Sequence, residues 1–167
     1  MIENRNKGTV LLEQEIGDLL KKKGLSLGVV ESATGGLLSH LITGVSSSSD
    51  YYKGSITAYS NEIKIKIIRV KETTIYRYGA VSKQVAEEMA FGGKKILAVD
   101  ICLSDTGIAG PGGGTPEKPV GLFYLGICYL DELYSRKLLF SGSRELNKES
   151  AAKTALSWLK EYLIALV

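Results

Sequence analysis

The chain has little of what familiar catalytic machinery is built from. One histidine, His40, in 167 residues leaves any Ser-His-Asp arrangement a single residue to run through and excludes paired-histidine metal sites. His40 lies mid-helix in the reading below, beside Leu41, and reads as a structural or surface residue. The two cysteines, Cys102 and Cys128, lack CxxC spacing and fall inside apolar stretches. They read as buried free thiols in a reducing cytoplasm, not as metal ligands. No apolar run approaches the roughly 20 residues that span a bilayer. Met1 to Gly8 is polar and lacks the apolar region of a secretory signal. Neither the Gly-x-x-x-x-Gly-Lys-Ser/Thr phosphate loop nor the Gly-x-Ser-x-Gly elbow occurs. Charge is nearly balanced at +3, and Lys21-Lys22-Lys23 is the only dense basic run. It closes an expected helix, where cations suit the dipole, so nucleic acid is not the expected partner. These absences set the expectations: no metal, no cofactor, no membrane, and a cytoplasmic protein.

What is abundant is glycine in one place. Five of the 19 glycines fall in Thr106-Gly-Ile-Ala-Gly-Pro-Gly-Gly-Gly-Thr-Pro116. Bare backbone N–H groups in such a loop can wrap an anion. The loop follows an apolar run of strand length, the place where open α/β sheets bind ligands.

A composition of 44% hydrophobic and 23% charged residues is that of a globular chain, and the length suits one domain over residues 1–167. Periodicity predicts a helix over 9–23, with Thr9 as cap and Gly24 as stop. A strand over 25–30 follows, then a helix opened by Thr34-Gly35-Gly36 and running to Thr43. Ser46 to Asp50 reads as a turn, 53–59 as a strand and 61–70 as a helix. A short helix precedes Gly79. Ser82 caps the next, which Gly92-Gly93 is expected to stop. A strand over 96–104, a hairpin of 120–129 and 133–140, and a helix over 144–163 complete the chain. Strands alternate with helices and end in a hairpin. That order predicts an α/β fold, a three-layer α/β/α sandwich on a mixed sheet with one antiparallel strand.

Two segments could carry chemistry. In Val29-Val30-Glu31-Ser32-Ala33-Thr34-Gly35-Gly36 a strand ends, hydroxyls are presented and a helix begins. Ser32 or Thr34 could be an activated nucleophile near free N–H groups, or either could simply cap the helix. In Thr57 to Lys64, a lysine sits early in a helix, where the dipole and burial lower its pKa toward a base's range. Lys64 could equally be a solvated lysine on an amphipathic helix. With no plausible histidine base, a lysine is the usual substitute.

The segments Glu31-Ser-Ala-Thr-Gly-Gly36, Tyr59-Ser-Asn61 with Lys64, Gly79-Ala-Val-Ser82, Thr106-Gly-Ile-Ala-Gly-Pro111 and Glu117-Lys-Pro-Val-Gly121 span nearly the whole chain. Together they resemble the CinA C-terminal domain family, in its stand-alone form. The resemblance implies a five-stranded mixed sheet and a nicotinamide-nucleotide amidase. Such an enzyme converts nicotinamide mononucleotide to nicotinic acid mononucleotide and ammonia by a metal-free Ser/Lys mechanism. It implies Lys64 as base, Tyr59 as its partner, and either Ser32 or Ser49 as nucleophile. Thr34, Gly35, Gly36, Asn61, Thr106, Gly107, Ala109, Gly110 and Arg144 are the implied substrate contacts. A pyridine nucleotide and further copies of the chain are the implied partners. The position before Thr106, apolar or small in the family, is Asp105 here. A carboxylate there would oppose a phosphate unless it points away. Two other readings stay open: a nucleotide-binding regulatory module without turnover, and an amidase for another phosphorylated amide.

Overall fold

The computed structural model describes residues 11–166. The elements in chain order are α1 (Leu12–Lys23), β1 (Leu27–Glu31), α2 (Leu37–Thr43), a 3₁₀ turn (Ser48–Asp50), β2 (Tyr52–Thr57), α3 (Asn61–Lys66), α4 (Glu72–Tyr78), α5 (Lys83–Leu97), β3 (Ile101–Gly107), β4 (Leu122–Tyr129), β5 (Glu132–Leu139) and α6 (Arg144–Ala165). The five strands form one sheet in the order β2-β1-β3-β4-β5. β1 runs parallel to β2 and β3, and only β4 is reversed.

Strand alternation sorts the core into two layers. Leu27, Val29, Ile101 and Leu103 face one way, against Ile16 and Leu20 of α1, Leu38 of α2 and Leu156 and Leu159 of α6. Val30 and Cys102 face the other way, against Val85 and Met89 of α5 and against Ile68 and Val70. The same parity decides where the polar residues at the strand ends go. Glu31 and Asp105 continue the first set; Ser32, Ser104 and Thr106 continue the second.

Several boundaries differ from the sequence reading. Gly92 and Gly93 do not stop α5, which runs on to Leu97 and ends at Ala98 in a left-handed conformation (φ 50°). The glycines are there for close approach. A Cβ on Gly92 would stand 1.9 Å from the Ile68 carbonyl oxygen, and one on Gly93 2.2 Å from Val30 Cγ2. The expected strand from 96 therefore starts at Ile101, and Thr106 and Gly107 belong to it. α3 ends at Lys66, short of residue 70. The cap expected at Thr9 lies outside the described residues, and α1 starts from Leu11 with no side-chain cap. Cys102 and Cys128 are Cα partners across β3 and β4, both buried and free. Among the described residues no helix is long and apolar enough to cross a membrane.

The glycine packing makes a prediction. Ala in place of Gly within a helix gains about 1 kcal/mol of propensity, whereas overpacking costs about 1–3 kcal/mol. Backbone at 1.9 Å cannot yield as a side chain can, so Gly92→Ala is expected to lower the Tm by several degrees. A thermal melt of that variant checks it; an unchanged or raised Tm would mean α5 has room to move away from Ile68.

Candidate active site

The site is built where β1 ends. Glu31 is fully buried and does for α2 what a conventional cap would do. Its Oε2 accepts from the N–H of Gly36 at 2.8 Å and of Leu38 at 3.0 Å, and its Oε1 from the N–H of Ser39 at 2.9 Å. Gly35 (φ 63°) and Gly36 (φ 100°) make the left-handed turn that aims those N–H groups back at the carboxylate. Ser32 is thereby relieved of capping, and parity turns its side chain to the opposite layer, where α3 lies.

Lys64 meets it there. Ser60 caps α3, its Oγ accepting from the Ile63 N–H at 3.2 Å. The fourth residue of α3 then points inward, and Lys64 is only 2% exposed. Its Nζ donates to Ser32 Oγ at 2.9 Å, to the Ala58 carbonyl at 2.8 Å and to the Tyr59 carbonyl at 3.4 Å. No carboxylate forms an ion pair with it among the described residues. Burial pulls its pKa below the usual lysine range, and the Asp105 charge opposes that shift. A buried lysine without a salt bridge, in hydrogen-bond contact with a serine, releases its proton more readily than a solvated one and can then take the serine's.

Asp105 points away from any phosphate at the loop. It is fully buried and turns into the Ser32–Thr34 turn. Its Oδ2 accepts from the Ser32 N–H at 2.9 Å and its Oδ1 from the Thr34 N–H at 3.0 Å. These two N–H groups are consequently not free to hold an oxyanion or a phosphate. The Ala33 and Gly35 N–H groups have no protein partner among the described residues.

Ser32, Ala33, Tyr59, Gly107, Ala109 and Arg144 line a cleft of about 120 Å³. Arg144 bridges it, donating from Nη1 to the Gly110 carbonyl at 2.7 Å and from Nη2 to the Tyr59 hydroxyl at 3.1 Å. The Tyr59 phenol is thus held by Arg144, and only its backbone carbonyl reaches Lys64. An adjoining cleft of about 220 Å³ shares Arg144 and adds Leu37, Lys148 and the carboxylates of Glu145 and Glu149. Lys148 Nζ lies 3.6 Å from where a Cβ on Gly35 would stand.

Other expected contacts fall elsewhere. The Thr106 hydroxyl is buried and donates to the Ala80 carbonyl at 2.9 Å, so it ties β3 to the start of α5. The Thr34 hydroxyl stands between the Glu31 and Asp105 carboxylates instead of opening to the cleft. Asn61 is exposed at the first residue of α3, and neither cleft is lined by it. Ser49 is exposed in the 3₁₀ turn ahead of β2. In the register, Tyr52 pairs with Leu27 and Thr57 with Glu31, so Ser49 belongs to the opposite end of the strands, roughly 13 Å or more along them from Ser32. The structure brings Ser32 to Lys64 and leaves Ser49 apart.

Glu31 and Asn147 shape the site and escaped the sequence reading of roles; Asp105, expected only to oppose a phosphate, shapes it too. Asn147 is buried, and its Nδ2 donates to the carbonyls of Ala109 and Gly142, both at 3.0 Å, pinning the glycine-rich loop to α6. Each interrupts an otherwise apolar face, and that interruption is the signal that could have marked it. A larger cavity, about 500 Å³ between α5 and Leu133, shares no lining residue with the Ser32 cleft and holds no nucleophile–base pair. Among the described residues no group of three His, Cys, Asp or Glu side chains could hold a metal ion.

With this geometry in hand, comparison with known proteins is informative. The family model of the CinA C-terminal domain matches residues 10–163. A CinA-like protein of Salinibacter ruber is 47% identical over 149 residues, covering 89% of this chain and 36% of that protein. One from Dictyoglomus thermophilum is 46% identical over 160 residues, covering 96% and 39%. The chain therefore spans under two-fifths of the length of these curated relatives. Among solved structures, the competence damage-inducible protein A of Klebsiella pneumoniae superposes with a TM-score of 0.90 at 27% identity, over 93% of this chain and 97% of that one. The competence or damage-inducible protein of Enterobacter asburiae gives 0.88 at 32% identity, over 91% and 96%.

Proposed function

The chain belongs to the CinA C-terminal domain family, and we propose that it is a metal-free serine amidase that hydrolyses the carboxamide of nicotinamide mononucleotide. The observation that carries the reading is the 2.9 Å contact between Ser32 Oγ and the buried Nζ of Lys64. In the proposed reaction neutral Lys64 takes the Ser32 proton and the oxygen attacks the amide carbon. The Ala33 N–H, on the wall of the cleft, donates to the oxyanion as it forms. Lys64 returns its proton to the leaving nitrogen, ammonia departs, and water deprotonated by the same lysine releases the acid from Ser32.

Arg144 and Lys148 lie one helical turn apart on α6, beside the Gly35 turn, and give the substrate phosphate two cations. Charge-assisted hydrogen bonds contribute about 1.5–3 kcal/mol each, so the mononucleotide is expected to exceed nicotinamide riboside in kcat/KM by about 10-fold or more. The test is ammonia release from both substrates. Equal kcat/KM would remove the phosphate from the reading. Release from neither, with tight binding of the mononucleotide, would point to a nucleotide-binding module instead. Turnover confined to other phosphorylated amides would replace the substrate.

A further inference from the structure

Thr34 has one hydroxyl proton and two claimants. Its Oγ1 stands 2.7 Å from Glu31 Oε2 and 2.7 Å from Asp105 Oδ2. A hydroxyl donates to one acceptor. The second carboxylate can approach that closely only by donating a proton of its own; otherwise two oxygen lone pairs face each other inside the protein. Both carboxylates are fully buried, so two uncompensated charges there are costly.

The backbone decides which one keeps the charge. Glu31 accepts from three backbone N–H groups, of Gly36, Leu38 and Ser39. Asp105 accepts from two, of Ser32 and Thr34. The better-solvated anion is Glu31, and the proton belongs on Asp105, passed to Thr34 and from Thr34 to Glu31. Those same two N–H groups fix the turn that carries Ser32, whose hydroxyl is in contact with Lys64.

We propose that Asp105 is a positioning residue: it shares one proton with Glu31 through the Thr34 hydroxyl, holds the Ser32 turn by two backbone hydrogen bonds, and sets by its charge how readily Lys64 gives up a proton. Its carboxylate meets that of Glu31 across the Thr34 hydroxyl, and Lys64, bonded to Ser32 on the same turn, feels its charge from the other side of the sheet. Its Cα partner on β4 is Leu125, and no charged side chain of α2, α5 or α6 bonds to its carboxylate. Burial above all, and then the Glu31 charge, push the Asp105 carboxyl up to about 6 against the pull of its hydrogen bonds. Above that pH the carboxylate favours the charged form of Lys64; with the proton in place, Lys64 loses a counter-charge and gives up its own proton more readily.

This inference rests on the amidase reading only for its kinetic arm. Asp105→Asn removes the charge while keeping an acceptor for one of the two N–H groups; Asp105→Leu removes charge and acceptors together. The Asp105 charge raises the Lys64 pKa against the pull of burial, and a nearby opposite charge is worth about 1–3 units at most. In both variants the midpoint for labelling of Lys64 by trace acetic anhydride, followed by peptide mass across pH, is expected to fall by about one unit. The acid limb of the kcat/KM profile should move with it. Asp105→Leu should also lower kcat below that of Asp105→Asn, because the Ser32 turn loosens. A readout needing neither labelling nor activity is the Tm against pH. The folded carboxyl titrates at about 6 and an ordinary one at 3.8, so the folded parent binds the extra proton between them. Its stability relative to Asp105→Asn is present below about pH 4 and is lost as pH rises to about 6. An unmoved Lys64 midpoint, or a Tm difference flat across that window, overturns the proposal. A shifted midpoint in a protein that releases no ammonia supports the proposal and overturns the amidase reading alone.

Discussion

Lys64→Met is expected to leave a folded protein that releases ammonia from nicotinamide mononucleotide about 10²–10⁴-fold more slowly, the usual cost of losing a positioned base. The fold survives because methionine fills a similar volume and the site is buried. What is lost structurally is three hydrogen bonds, to Ser32 Oγ and to the carbonyls of Ala58 and Tyr59. Leaving those acceptors unpaired costs about 1–3 kcal/mol each at most, and relief of the buried amine offsets part of it. The loss should fall on kcat, with KM nearly unchanged, since the amine acts on the reacting proton and makes no contact needed to hold the phosphate. Near-parental kcat in a protein with a native melting profile would refute the Ser/Lys mechanism. The only histidine is exposed on α2 and is no substitute base.

Ser32→Ala is expected to cost more, about 10⁴-fold or beyond in kcat, because removal of a nucleophile abolishes the covalent route altogether. Ser49→Ala should stay within about two-fold of the parent. The contrast follows from the register: Ser32 is one residue past Glu31 at the end of β1, whereas Ser49 precedes Tyr52, which pairs with Leu27 at the start. Substrate binding should persist in Ser32→Ala, since the phosphate is proposed to bind Arg144 and Lys148 and not the serine hydroxyl. Rapid quenching of the parent with substrate should trap an acyl group on the peptide that contains Ser32. An adduct on the Ser46–Ser49 segment, or full activity of Ser32→Ala, would require a nucleophile that the geometry separates from Lys64.

The residue pattern carried the architecture a long way. Alternating strands and helices closed by a hairpin define a three-layer sandwich with one reversed strand, and β4 is that strand. Periodicity is a local property, so it survives in the sequence. It failed where a local signal had a distant cause. Gly92 and Gly93 read as a stop but lie inside α5, because what they accommodate is Ile68 and Val30 from other elements. The apolar run from Ile96 was read as one strand, yet a left-handed Ala98 breaks it into the end of a helix and a strand from Ile101.

The same division holds for the site. That a lysine was the candidate base in place of a histidine followed from composition alone, with one histidine in the chain, and the glycine turn at 35–36 was legible because positive φ is a property of the residue itself. Which serine meets Lys64, where the Tyr59 phenol points and what Asp105 does were decided only in three dimensions. Ser32 and Ser49 are equally plausible hydroxyls in one dimension; sheet register sends them to opposite ends of neighbouring strands. Asp105 stands next to a glycine-rich loop in the chain, but strand parity turns it inward onto the N–H groups of Ser32 and Thr34, 73 and 71 positions earlier. Side-chain direction in a strand alternates with each residue, and its partners come from strands the chain reaches much later or earlier. Chemistry that depends on such pairings is settled by packing and not by neighbours in sequence.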